Sequence, residues 1–324
     1  MPFSRFLSTH YDIQVEEKIR LDDKEGYKQG NQIYFITSAL NKETIYMEQA
    51  AIAYFLRENG YHDVAIPIVN VRGEWFTKVE DQSYLVIQIE FYREDEIDSV
   101  GIRLAGLHQL GEAYQYQPRE ISSYGNWRTL WIDKLTAFES KLEDEANKNS
   151  NAYYRLWMDT LPYVIGISEN AIQYVRESET ERRFNEVDQG TFCFYRFSNQ
   201  LNKSVIFGED LVFDHAARDI AEAIRNMYMR DKTDEQITSF ISDYQIIRPL
   251  SIFSWRLIYS RLLFPAPFFD LMNKGFFSTD FDILYKELEG LLVKQSKYEK
   301  RLQNFYEKMG LVEEIVDIPM IHWL

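Results

Sequence analysis

Between Phe192 and Arg225 residues able to do chemistry are set between apolar runs, and this stretch is the centre of the chain. Arg196 and Asn199 follow the aromatic run Phe192-Cys193-Phe194-Tyr195, Glu209 and Asp210 follow Val205-Ile206-Phe207, and Asp214 and Asp219 follow Val212-Phe213. Carboxylate and amide oxygens are what a hard cation takes as ligands. The Arg196 guanidinium stays charged at any useful pH, so it can neutralise negative charge but accepts no proton. Cys193, between Phe192 and Phe194, reads as a buried inert thiol.

The elements that hold these residues read as strand, loop, strand, loop, helix. Val205-Ile206-Phe207 suits a buried strand. Ile220, Ala223, Ile224 and Met227 recur at helical spacing, so a helix begins near Arg218 with Asp219 in its first turn. A carboxylate there can accept backbone N–H groups that otherwise go unmet, which makes Asp219 a structural, capping residue.

Upstream, a helical start and turn signals at Gly26 and Gly30-Asn31 lead to a strand over Gln32–Thr37, with Lys42 beyond it. A helix over Glu43–Asn59 ends at Gly60 and carries Glu48, which reads as a solvated or locally bonded acid. Strands over Val64–Val71, Glu74–Lys78 and Tyr84–Ile89 complete an antiparallel sheet of about five strands with one helix, over residues 1–93. Glu94-Asp95-Glu96 marks the boundary to a mostly helical part, 94–324. There Val100, Leu104, Leu107, His108 and Gly111 share one helical face, which makes His108 a core residue. Helices are expected over Trp127–Leu142, Tyr153–Arg176, Asp231–Tyr244, Pro249–Leu263 and Asp280–Lys308, with a polar connection at 143–150 and a break at Pro265 and Pro267. Ile318–Leu324 is apolar enough to dock on the body or on a partner.

With 324 residues and 45% apolar content, the chain can bury a sizeable core. Its net charge of -15 excludes a duplex-binding surface, which needs clustered Lys and Arg. A single cysteine excludes an internal disulfide. Met1–His10 lacks the pattern of a secretory signal and no run of about eighteen apolar residues occurs, so synthesis in the cytosol and no membrane span are expected. The 22 tyrosines and 22 phenylalanines read first as packing between helices, and second as contact surface.

The segment Phe213-Asp214-His215-Ala216-Ala217-Arg218-Asp219-Ile220-Ala221 resembles the D-H/Y-P-x-x-D-L-A helix start of the aminoglycoside and choline kinase-like phosphotransferases. In those proteins an H-G-D-x-x-x-x-N loop and an I-D-F/W strand come first. With Leu104-Ala105-Gly106-Leu107-His108 upstream, the chain is similar, more narrowly, to the kinase-like spore coat proteins of the CotS/YutH type. The resemblance implies an α+β, protein-kinase-like (aminoglycoside phosphotransferase-like) two-lobed fold, with a small antiparallel-sheet lobe and a mostly helical lobe. It also implies a degenerate site. Phe194-Tyr195-Arg196 stands at the His-Gly-Asp positions, and Asn199 comes three residues after Arg196 where the pattern asks for five. Phe207 stands at the magnesium aspartate, with Glu209 or Asp210 as replacements only in a shifted register. Thr37 stands at the phosphate-holding lysine, Glu48 at its ion-pairing glutamate, and no G-x-G-x-x-G loop precedes them.

In function, the resemblance implies a catalytically inactive kinase-like protein, made in the mother cell, that serves as a structural component of the endospore coat. It would bind other coat proteins, hold no metal or cofactor, and bind ATP weakly or not at all. Arg196 would pair with Asp214 or Glu209. The alternative is a phosphotransferase acting on a small hydroxyl or amine substrate with displaced catalytic residues.

Overall fold

A computed structural model describes residues 3–21, 24–90, 99–180, 186–278 and 280–311. The chain divides into two units, Met1–Ser122 with Thr191–Phe213, and Ser123–Gly190 with Asp214–Leu324. The boundary expected at 93/94, the acidic Glu94-Asp95-Glu96 and the apolar tail Ile318–Leu324 lie outside the described residues.

In the first unit, α1 (Phe3–Tyr11) precedes β1 (Glu17–Leu21), β2 (Lys24–Gln29) and β3 (Gln32–Ser38). Then come α2 (Glu43–Glu58), β4 (Val64–Ile68), β5 (Phe76–Val79) and β6 (Gln82–Glu90). The sheet has seven strands in the order β1-β2-β3-β6-β4-β8, with β5 also on β6, where β8 is the short Ile206–Phe207. All pairs are antiparallel except β4 with β8, where Val64 faces Ile206 and Ala65 faces Phe207.

This corrects the expected five-stranded antiparallel sheet. Charged and polar residues dominate β1 and β2, so an apolar pattern could not find them; the charges of β1 also suit its place at the end of the strand order, where they discourage pairing with another chain. Gly26 is no turn residue. It sits inside β2 opposite Ile19, and a Cβ there would come within 3.0 Å of Ile33 and Phe35 side-chain carbons. Glycine lets the strand lie against its own core.

From the sheet the chain enters α3 (Val100–Glu112), capped by Ser99, whose hydroxyl accepts from Ile102 N–H at 3.3 Å. Later β7 (Gly190–Phe194) pairs with β9 (Leu211–His215). Gly111, near the end of α3, allows the closest approach in this unit. A Cβ on it would stand 2.2 Å from Thr191 Oγ1 and 2.5 Å from the Phe192 backbone nitrogen.

The second unit holds α4 (Trp127–Lys148), α5 (Ala152–Thr180), α6 (Ala217–Met229), α7 (Asp234–Ile247), α8 (Ile252–Leu263), α9 (Ala266–Gly275), α10 (Phe281–Leu302) and α11 (Phe305–Lys308). α4 continues through the polar stretch read as a connection, because Glu, Lys and Ala are good helix formers whatever their exposure. α9 is an addition. Pro265 and Pro267 begin it instead of breaking the chain, since the first turn has no intrahelical use for their missing N–H groups. α10 stops at Leu302, ahead of Asn304 in the left-handed region at φ 56°. Much of the aromatic content packs between helices: Trp131 stacks on Phe264 at 4.3 Å, Phe264 on Phe269 at 5.0 Å, and the Tyr174 and Tyr306 hydroxyls meet at 2.7 Å.

Gly111→Ala should destabilise the protein by about 1–3 kcal/mol through overpacking against a backbone that cannot swing away. The loss outweighs alanine's helix-propensity gain of up to ~1 kcal/mol. Urea denaturation reads it directly, and an unchanged midpoint would contradict the packing described.

Candidate functional site

Thr37 lies in β3 opposite Leu85, with no cation at its position, and Lys42 is an exposed residue just ahead of α2. That helix carries Glu48 to a different task from the one its position implies. Its carboxylate accepts three backbone N–H groups, from Arg119 at 2.8 Å, Glu120 at 2.9 Å and Ile121 at 3.1 Å. The expectation of a solvated or locally bonded acid is therefore corrected, because the bonds reach across some seventy residues of chain. The segment so held passes its order on. Ile121 C=O receives Phe213 N–H at 3.1 Å, and Ser122 bridges to the same residue.

Phe207 is 3% exposed and belongs to the sheet's core with Ile33, Phe35, Leu85 and Ile87, its ring edge-on to Phe35 at 5.0 Å. The nearby cation comes from a strand that the apolar pattern hides. Lys24 of β2 pairs with Glu209 and sets its ammonium over the Phe207 ring, 3.8 Å from the centroid. Glu209 lies in a single 3-10 turn, Gly208–Asp210, fixed from α2 by the Gln49 amide, which donates to the carbonyls of Glu209 and Leu211 at 3.1 Å each. Asp210 is half-buried, and burial raises its carboxyl above the usual range, with Glu209 adding to the rise and Lys24 and Lys203 opposing it. Thr37, Tyr46, Gln49, Leu85, Ile87 and Glu209 help line a cavity of about 20 Å³. That is room for about one water.

In the loop after β7, Gln200 does the holding. Its amide donates to Arg196 C=O and accepts from Ser198 N–H, both at 2.7 Å. Asn199 adopts the left-handed conformation at φ 70°, and its side-chain oxygen is buried without a hydrogen bond. Arg196 sits against the ring of its neighbour Tyr195, and of the two acids proposed for it, Glu209 has Lys24 and Asp214 has Arg218. Cys193 and His108 are both fully buried, Sγ to Nε2 4.0 Å apart, and Thr191 Oγ1 donates to His108 C=O at 2.6 Å.

In the second unit Asp214 is fully buried and accepts from Ser123 Oγ at 2.6 Å, Trp127 Nε1 at 2.9 Å, His215 N–H at 2.7 Å and Arg218 Nη1 at 2.7 Å. Burial works to raise its carboxyl, but Arg218 and Arg261 with these hydrogen bonds hold it below the ordinary range. Asp219 is fully buried in the first turn of α6, but the cap position belongs to Ala216, with no side-chain capping bond. Asp219 thus stands at the start of the helix as expected, a buried acid at the positive end of the helix dipole.

A magnesium nucleotide asks for a lysine, a carboxylate at the strand end and several oxygens in near-octahedral array. Thr37 and Phe207, which the resemblance sets at the lysine and at the carboxylate, offer neither group. Asn199 supplies one orphaned oxygen, and Glu209 is already paired.

Two outcomes test this geometry. Glu48→Ala leaves three backbone donors without their charged acceptor and should cost about 1–3 kcal/mol in chemical denaturation; a silent change would contradict the clip. Because Asp214's carboxyl is depressed in the folded state, its stabilisation is present above the unfolded value near 3.9 and is lost as pH falls through the folded value. Stability should therefore fall steeply below about pH 4. Asp214→Asn should be less stable at neutral pH and show a shallower acid limb, and parallel pH profiles for variant and wild type would refute the assignment.

A family model described as "Spore coat putative kinase YutH" matches residues 4–305. The "Endospore coat-associated protein YutH" of Bacillus subtilis (strain 168) is 29% identical over 304 residues, which is 90% of this chain and 89% of that protein. An aminoglycoside phosphotransferase from Alicyclobacillus acidocaldarius superposes with a TM-score of 0.66 at 12% identity, over 94% of this chain and 96% of its own. A microcompartment-associated aminopropanol kinase gives 0.57 at 12% identity, over 96% and 98%. The amicoumacin kinase hAmiN gives 0.56 at 15%, over 91% and 92%. At such identities these likenesses speak for the fold alone, and the fold is the aminoglycoside phosphotransferase-like one that the sequence implied. Taken with a family match that runs through nearly all of the chain, they lead to one conclusion: this protein belongs to the YutH family of kinase-like spore coat proteins.

Proposed function

We propose that the chain is a non-catalytic binding component of the bacterial endospore coat, made in the mother cell and held in the coat by contacts with other coat proteins. The observation that carries this reading is Phe207. The resemblance sets Phe207 at the carboxylate that holds the metal against the phosphates, and its phenyl ring is packed into the core of the sheet. A metal cannot be regained there by a rotamer change. Thr37 in the lysine position, the diversion of Glu48 to backbone amides and the absence of a proton acceptor at Arg196 point the same way. Coat association is supported by the family and by the name of the Bacillus subtilis relative.

Calorimetry and thermal shift with ATP and magnesium should give no binding in the micromolar range, and a radiolabelled ATP assay should give no transfer to hydroxyl or amine acceptors. In sporulating cells a fluorescent fusion should assemble on the forespore surface and co-purify with coat proteins. Robust turnover abolished by changing Arg196, Asn199 or Glu209 would replace this reading with a phosphotransferase of displaced catalytic residues. A fusion that stays diffuse through coat assembly would remove the structural role.

A further inference from the structure

We propose that Glu209 and Phe207 form an internal latch on Lys24, masking an ammonium that would otherwise bind a compact polyanion of the polyphosphate class.

Lys24 Nζ is held between a carboxylate and the face of an aromatic ring, the two kinds of group that best satisfy an ammonium. The pair is not a sealed structural bridge. The side chains of Lys24 and Glu209 are 33% and 28% exposed, so water and solutes reach both. The backbone beneath Glu209 is fixed independently by Gln49, which leaves its carboxylate free to swing on a flexible side chain without unmaking the sheet. Thr37 and Tyr46, two side chains with hydroxyl groups, line the same small cavity as Glu209. Lys203 acts electrostatically on the adjacent Asp210.

Removing the Glu209 charge therefore leaves an ammonium over a ring, with a second lysine, Lys203, acting on the same Asp210 that Lys24 acts on, and two ammonium groups are the chemistry that takes phosphate oxygens. In the wild type the internal carboxylate holds that position at a high effective concentration, against which a free anion must compete. The latch does not depend on whether phosphate is ever transferred.

The test is calorimetric titration of magnesium-free sodium tripolyphosphate into the wild-type chain, Glu209→Gln, Lys24→Gln and the double variant, each checked for a cooperative melting transition. Glu209→Gln should bind at least about tenfold more tightly than wild type, a difference of about 1.4 kcal/mol. Lys24→Gln and the double variant should stay at or below the wild-type level. Equal affinity in Glu209→Gln and wild type overturns the latch. A tightening that survives in the double variant also does, because the gain is then general charge relief. Glu209→Ala carries the same expectation, and loss of the folded state in both Glu209 variants overturns the proposal too, since a contact required for folding cannot open.

Discussion

A carboxylate taken wholly out of water loses several kcal/mol of hydration unless cations and donors surround it, and Asp214 meets that demand with four groups from two stretches of chain. Ser123 and Trp127 come from the entry to α4, while His215 N–H and Arg218 belong to the passage from β9 into α6. Satisfying one charge thus fixes how two helices begin. Arg261 extends the arrangement by resting on the Trp127 ring at 4.9 Å. The same physics recurs nearby. Asp188 accepts from Ser251 Oγ at 2.6 Å and Ser254 Oγ at 2.7 Å, with His215 Nε2 at 3.3 Å. Glu222 faces Arg225, which also donates to Phe264 C=O at 3.1 Å. Once such a set is buried, losing one partner leaves an uncompensated charge costing about 3–5 kcal/mol, so its members are hard to exchange singly.

Two acids of the first unit tie distant pieces of chain together. Glu48 accepts three backbone N–H groups and so acts as a clip on residues 119–121. Glu209, at the far end of β8, meets a lysine from β2. Neither acid is wasted as exposed charge, and each joins pieces of chain distant in sequence.

How much of this was legible in the residues depends on which signal each feature leaves. Helices with apolar spacing, such as α2, α3 and α8, were readable to within a few residues because burial on one face writes a period into the sequence. That Thr37, Arg196 and Phe207 carry no carboxylate and no lysine ammonium is legible from residue type alone. Lys24 is not. Its strand carries more charge than apolar surface, so neither period nor composition marks it, and its partner lies 185 residues away. Glu48's partners were invisible for a different reason: backbone amides carry no residue identity. Asp219 is legible as a first-turn acid, because the apolar spacing of Ile220, Ala223 and Ile224 fixes where the helix begins.

The parallel pairing of β8 with β4 has a consequence for synthesis. Val64 and Ala65 leave the ribosome about 140 residues before Ile206 and Phe207, the strand that closes their side of the sheet. Through that interval β4 has an open edge, a template for pairing with any extended chain nearby. Its core also lacks Val205 and Phe207. Completing the sheet is a non-local event with a large loop-closure cost, which makes it a slow step in folding. A nascent chain is therefore most exposed to mispairing at β4, and a chaperone that shields that edge until residue 213 has emerged would raise the yield more than any gain in final stability.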